Sequence, residues 1–300
     1  MSFSSSLKNN LKVWRYSLET VIVKITLLFF TCLKPQTASN FASNLTRFVG
    51  KRIAVHKLAY NNLSKAMPYL NEKEKARILD DMWDNLGRIV GEFGHIGRCK
   101  VEDIDRFIET TQETEDNVVL AKSEKKGGII FGAHIGNWEV GPKYFVKRGL
   151  KVNTVYRPLN NPDVEKLTSK MRGVDLIEKS ISGSRKIVEV IKKGGFVIIL
   201  ADQKITEGEP VKFFHDDAIT TTSIAKMALK YDIPLIPARS IRIGKEFKFI
   251  VDVQKPLAIQ KTGNVNSDVL KITRDINKKL EEWIKEYPAQ WFWVHNRWKR

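Results

Sequence analysis

Cysteine is almost missing from this chain: Cys32 and Cys99 are the only two in 300 residues. Neither stands in a metal-type spacing, so a disulfide framework has no support, and a reducing compartment suits the composition. Neither G-x-x-x-x-G-K-[ST] nor G-x-G-x-x-G occurs, which removes the phosphate-loop and dinucleotide fingerprints. H-E-x-x-H is absent too, and no third ligand stands at a recognisable spacing from any histidine pair. No metal and no cofactor is therefore expected. Internal repeats and low-complexity tracts are lacking as well.

Long apolar runs are also wanting. The most apolar stretch, "VIVKITLLFFTCL" at residues 21–33, contains Lys24 and follows Glu19. It falls short of the roughly 20 residues that cross a hydrocarbon core. Acid is scarce around it: from Met1 to Tyr60 nine basic side chains accompany one acid, Glu19. A monotopic helix on an anionic membrane fits this pattern best, with basic residues meeting lipid phosphates. A marginal span, a buried helix and a signal peptide remain open, although "KPQTASN" offers no clean cleavage site.

What the chain has in abundance is positive charge. Lys and Arg number 51 against 34 Asp and Glu, a formal net charge of +17. Such an excess points to a polyanionic partner: nucleic acid, an anionic membrane or an acidic protein. With 42% hydrophobic and 28% charged residues the chain is globular.

The expected architecture changes along the chain. Residues 1–35 form the apolar, basic membrane-associating helix, and residues 36–300 a single domain. Within that domain 36–110 read as helical. "NEKEKARILDDMWDNLGRIVGEF" spaces Ile78, Met82, Leu86, Ile89, Val90 and Phe93 along one helix face, with Asn71 as its N-cap. From 120 to 300 the texture is α/β. Strand candidates "GGIIFGA", "KVNTVY", "VDLIE", "GFVIILA", "PLIPARSI" and "FKFIVDV" alternate with amphipathic segments such as "SRKIVEVIKK" and "TSIAKMALKY". A last helix covers about residues 267–286 and stops before Pro288. This alternation predicts a mostly parallel open sheet flanked by helices, with ligands at the carboxyl ends of its strands.

"FGAHIGNWEV" follows the first strong strand and sets His134 five positions ahead of Glu139. On one continuous helix those two side chains would diverge by roughly 140°. They meet only if His134 lies in the turn before a helix and Glu139 in its first turn, with Gly132 and Gly136 supplying the bends. A carboxylate on one imidazole nitrogen would leave the other free to take a hydroxyl proton. A purely structural histidine is the competing reading. Asp202 ends the apolar strand "FVIILA", and Arg157, held extended by Pro158, follows another strand; a guanidinium there suits phosphate. The closing "WFWVHNRWKR" interleaves aromatic and basic residues. It suits a membrane interface, single-stranded nucleic acid, or core packing of at least one of Trp291 and Trp293.

At this point a family resemblance appears. "AHIGNWE" resembles the HX4D/E motif of lysophospholipid-type acyltransferases, and H-x-G-N-W-E is similar to the late acyltransferases of lipid A biosynthesis. "VYRPLNNP", "ADQ", "VKFF", "TSIAKMALKYDIPLIP" and "QWFWVHNRWK" follow in that family's order, and "NNLSKAMP" with Glu92 precedes them. "FFHDDAIT" departs with His215 in place of glycine, and "VHNRWK" departs at Asn296 and Trp298. The resemblance implies a glycerol-phosphate-acyltransferase-like fold at the cytoplasmic face of a bacterial inner membrane. It implies acyl transfer from an acyl carrier protein thioester to the hydroxyl of a 3-hydroxyacyl chain on a Kdo-bearing lipid A precursor. His134 would be the base and Glu139 its orienting partner, with backbone N–H groups in the Gly136 turn receiving the oxyanion. Asn137, Arg172 and Asp202 would support them, and Arg157, Asn160 and Gln203 would bind substrate. Nucleic acid is not an expected partner on this reading. Another membrane acceptor, such as a glycolipid mannoside or a lysophospholipid, is the enzymatic alternative, and a basic nucleic-acid-binding protein the remote one.

Overall fold

In the computed structural model, residues 3–123, 126–205 and 208–298 are described. Four helices come first: α1 (Phe3–Cys32), α2 (Pro35–Gly50), α3 (Val55–Ala66) and α4 (Glu72–Arg98). Asn71 caps α4 as its sequence indicates. Its side chain accepts from the Glu74 amide while the Glu74 carboxylate accepts from the Asn71 amide, a reciprocal capping box.

The α/β part then runs β1 (Ile108–Glu109), α5 (Gln112–Ser123), β2 (Gly128–Gly132), α6 (Gly141–Lys147), β3 (Val152–Tyr156), α7 (Pro162–Arg172), β4 (Asp175–Glu178), α8 (Ile181–Lys192) and β5 (Phe196–Leu200). After these come the hairpin strands β6 (Glu209–Phe213) and β7 (Asp216–Thr220), then α9 (Ser223–Tyr231), β8 (Leu235–Arg242), β9 (Phe249–Val253) and α10 (Val265–Glu286). Seven strands form one sheet in the order β1-β9-β8-β2-β5-β3-β4. Every pairing is parallel except β8 with β9. The mostly parallel open sheet expected from the sequence is present, and each strand candidate lies in it. The β6–β7 hairpin and the two-residue β1 were not anticipated.

β2 is buried along its whole length, which is why "GIIFG" carries no polar alternation. One core packs α8, α9 and α10 against one face of the sheet, and a second core fills the opposite face around Tyr144, Phe145 and Phe249.

No described helix is long and apolar enough to cross a membrane. The spanning option for the N-terminal helix therefore fails, since Glu19 and Lys24 interrupt its apolar run. α1 instead lies on the domain. Asn161, the N-cap of α7, donates to the Tyr16 carbonyl and bonds the Thr20 hydroxyl. The outer side of α1 leaves Trp14, Leu18, Ile25 and Leu28 exposed, and α2 adds Phe41, Leu45 and Phe48. Phe29 and Phe41 join the two helices edge to face, 5.4 Å apart.

Candidate active site

β2 and β5 are neighbours in register, with Gly132 opposite Leu200. His134 and Asp202 each lie two residues beyond that rung, so the chain delivers both to the carboxyl edge of the sheet. The Asp202 Oδ1 atom lies 2.8 Å from His134 Nδ1. Its Oδ2 accepts from the His134 backbone N–H at 2.9 Å and from Trp291 Nε1 at 2.8 Å. Burial opposes ionisation of Asp202, but the His134 charge and these donors outweigh it and hold the carboxyl at about 2. An ionised, acceptor-only carboxylate on Nδ1 fixes the proton there and leaves the Nε2 lone pair free. Gln203 Nε2 stands 3.4 Å from that nitrogen.

This arrangement corrects the expected pairing. No hydrogen bond joins Glu139 to His134. Glu139 accepts a fork from Arg172, with Nε at 2.9 Å and Nη2 at 2.9 Å. Burial works against the Arg172 charge, yet bonding to Glu139 overcomes it and raises its pKa. Glu139 also lies outside the helix expected to carry it, because α6 begins only at Gly141. Without that first helical turn the carboxylate is not brought back over the imidazole.

The loop from 133 to 140 is held rigidly from several sides. Ile135 bridges Trp291, Gly136 N–H donates to the Gln290 carbonyl, and Phe292 N–H donates to the His134 carbonyl. Gly136 has φ +59°, and a Cβ there would fall 1.8 Å from the Ser240 carbonyl oxygen, so only glycine fits. Among the amides of this turn, the Gly136 N–H is thus engaged and is not available to an oxyanion. Asn137 is fully buried; its Nδ2 donates to Glu92 and its Oδ1 accepts from the Glu139 N–H. Glu92 in turn takes both Arg242 Nη atoms, at 2.6 and 2.7 Å, in a pair closed to solvent.

His134, Glu139, Arg172, Gln203 and Arg157 all line one cavity of about 960 Å³. Asp202 stands behind the imidazole. Asn160 is exposed and outside that lining, which corrects its assignment; the following residue, Asn161, is the buried one and serves α7. For the C-terminal aromatics the core-packing reading of Trp291 and Trp293 holds, and the membrane-interface reading is corrected. Trp291 and Trp293 are fully buried, and Trp298 nearly so, each with its indole N–H bonded inside the protein. They build the wall behind Asp202 and do not face a membrane interface.

A family model described as bacterial lipid A biosynthesis acyltransferase matches residues 5–300. The chain belongs to this family. It is 24% identical over 268 residues to the lipid A biosynthesis lauroyltransferase of Escherichia coli strain K12, covering 84% of this chain and 81% of that protein. Against the palmitoleoyltransferase of the same strain and the lipid A biosynthesis acyltransferase of Shigella flexneri it is 23% identical, over 81% of this chain and 78% of each. Within this acyltransferase, one contact and one cavity residue escaped sequence reasoning. Trp291 was open between an interface and the core, but its hydrogen bond to Asp202, which buttresses the base, was not anticipated. His295 lines the cavity, and burial pushes its imidazole down to about 4. Its place in "WVHNRW", among aromatics, was the only signal available.

Proposed function

We propose that this protein transfers a fatty acyl group from an acyl carrier protein thioester to a hydroxyl of a 3-hydroxyacyl chain on a phosphorylated, Kdo-bearing lipid A precursor. The observation that carries the reading is the His134–Asp202 pair opening onto a large, partly apolar cavity in a member of this family. His134 Nε2 takes the acceptor hydroxyl proton while Asp202 supports the imidazolium. The alkoxide oxygen bonds to the thioester carbonyl carbon, and the tetrahedral intermediate expels the thiolate. The imidazolium returns the proton to that sulfur, so His134 ends as it began. No side chain is acylated.

The developing oxyanion needs donors within reach of the loop. With the Gly136 amide engaged, the Asn137 and Trp138 amides are the remaining candidates; among the described residues neither donates to a protein acceptor. Glu139 acts through Arg172, fixing a guanidinium on the cavity wall. The apolar outer faces of α1 and α2, with Lys12, Arg15 and Arg47 on the same helices, support binding at the cytoplasmic face of the inner membrane.

Mass spectrometry of lipid A precursor incubated with purified protein and acyl carriers of varied chain length tests this reading. The expected product gains one acyl group on an existing 3-hydroxyacyl chain. Acylation only of lysophospholipid or a glycolipid mannoside would replace the acceptor, and no acylation of any of these would sink the proposal.

A further inference from the structure

Strand parity divides the cavity. Along β3 and the residue after it, Val155 and Arg157 alternate with Thr154 and Tyr156, and all four line it. At the end of β4 Lys179 opposes Glu178, and on β5 Ile199 opposes Ile198. The cavity therefore wraps around the strand ends into two compartments that meet at His134. One faces α4, α6 and α7 and is walled by Phe93, Ile96, Trp138 and Pro142. The other faces α8 and α9, where Ile187, Val188, Met227 and Tyr231 form an apolar floor.

Charge is distributed unequally between them. Of the two acids of the lining, Glu178 belongs to the first compartment by parity and Glu139 by its fork with Arg172 of α7, which already engages it. Around the second stand Arg157, Lys179, Lys226 and Lys230, with no carboxylate among the described lining residues on that side. None of these four forms an ion pair among the described residues, whereas Lys193 at the far end of α8 pairs with Glu189. Like charges are even held together. Lys226 and Lys230 sit four apart on one face of α9, which costs helix stability. Desolvation and then the Arg157 charge lower the Lys179 pKa. Ser180, Ser184, Thr221 and Ser223 add hydroxyl donors to the same rim. Four uncompensated cations with neighbouring hydroxyls match a multiply charged, many-oxygen anion.

We infer that the α8–α9 compartment is a phosphate-receiving site, in which Arg157, Lys179, Lys226 and Lys230 hold the phosphate group of one of the two substrates while its reacting end reaches His134. This rests on the acyl-transfer reading above and adds to it the place where substrate charge is bound. The phosphate could belong to the acceptor's sugar or to the phosphopantetheine arm of the donor.

Steady-state kinetics of the full-length Lys226→Ala/Lys230→Ala protein tests the site, with Lys226→Arg/Lys230→Arg as the charge-preserving control. Each is compared on phosphorylated against dephosphorylated acceptor, and on acyl-phosphopantetheine against acyl-pantetheine. The expected result is a KM for one phosphorylated substrate raised by about tenfold, with kcat little changed and the arginine variant restored. Whichever pair loses its discrimination identifies the source of the phosphate. Equal changes for both members of both pairs would overturn the site. Calorimetry with inorganic pyrophosphate, 4'-phosphopantetheine and a sugar 1-phosphate needs no turnover. Binding lost in the alanine variant would uphold the site even if the wild type acylated nothing, and only the acyl-transfer reading would then fall. Equal binding by wild type and alanine variant would count against the site whatever the turnover.

Discussion

Replacing Asp202 by asparagine isolates the role of the carboxylate, because the site dictates how the amide must sit. Oδ2 accepts two protein donors, the His134 N–H and Trp291 Nε1–H, whereas Oδ1 faces only His134 Nδ1. An asparagine keeps two hydrogen bonds by turning its oxygen toward the paired donors. Its NH2 then donates to Nδ1, which forces the imidazole proton onto Nε2 and removes the basic lone pair. The side-chain volume is preserved, so the fold is retained and the chemistry is lost. Loss of the correct tautomer in a comparable His–Asp arrangement costs about 10⁴-fold, and we expect a kcat loss of about 10³–10⁴-fold here, equivalent to about 4–5.5 kcal/mol of barrier. Glu139→Gln leaves the imidazole bonding intact and should lose no more than about 10²-fold through the weakened Arg172 contact. Single-turnover acyl transfer by the two folded variants measures both. A Glu139→Gln loss that exceeds the Asp202→Asn loss would refute the assignment of Asp202 as the orienting group.

Three further outcomes follow from the same structure. Arg242→Met should destabilise the protein by about 3–5 kcal/mol, since it strands the buried Glu92 carboxylate that also holds Asn137; a chemical-denaturation change under about 1 kcal/mol would contradict this. His295, lowered from 6.5 to about 4 by burial, binds its proton more weakly folded than unfolded. Stability should therefore be intact above pH 6.5 and fall as pH drops toward 4, by at most roughly 3 kcal/mol, with His295→Gln flattening that slope in denaturation curves. Trp14→Glu with Leu18→Glu, both on the exposed face of α1, should reduce sedimentation with anionic vesicles several-fold while leaving the circular dichroism unchanged; unaltered sedimentation would remove α1 as the contact.

Much of the fold was legible because each central strand is an apolar run and each following helix has its own amphipathic period. β6 and β7 were not. "EPVKF" and "DDAIT" carry charge and a proline, and their turn places Phe214 at φ 57° without a glycine to announce it. At the site, His134 and Asp202 were both marked by ending strands. Their mutual contact was hidden, because it depends on the register of β2 against β5 across 68 residues. Local spacing made Glu139 the nearer choice, and only the late start of α6 releases it to Arg172. The aromatic ending was ambiguous for another reason: indoles beside arginines compose an interface and a bonded core equally well.

The measurement that bears most directly on the account is acyl transfer by His134→Ala, assayed with acyl carrier donor and lipid A precursor on protein shown by circular dichroism to be folded. Removal of the imidazole that Asp202 orients at the mouth of the cavity should reduce turnover to background while substrate binding persists. Turnover near that of the wild type by the folded variant would contradict the mechanism.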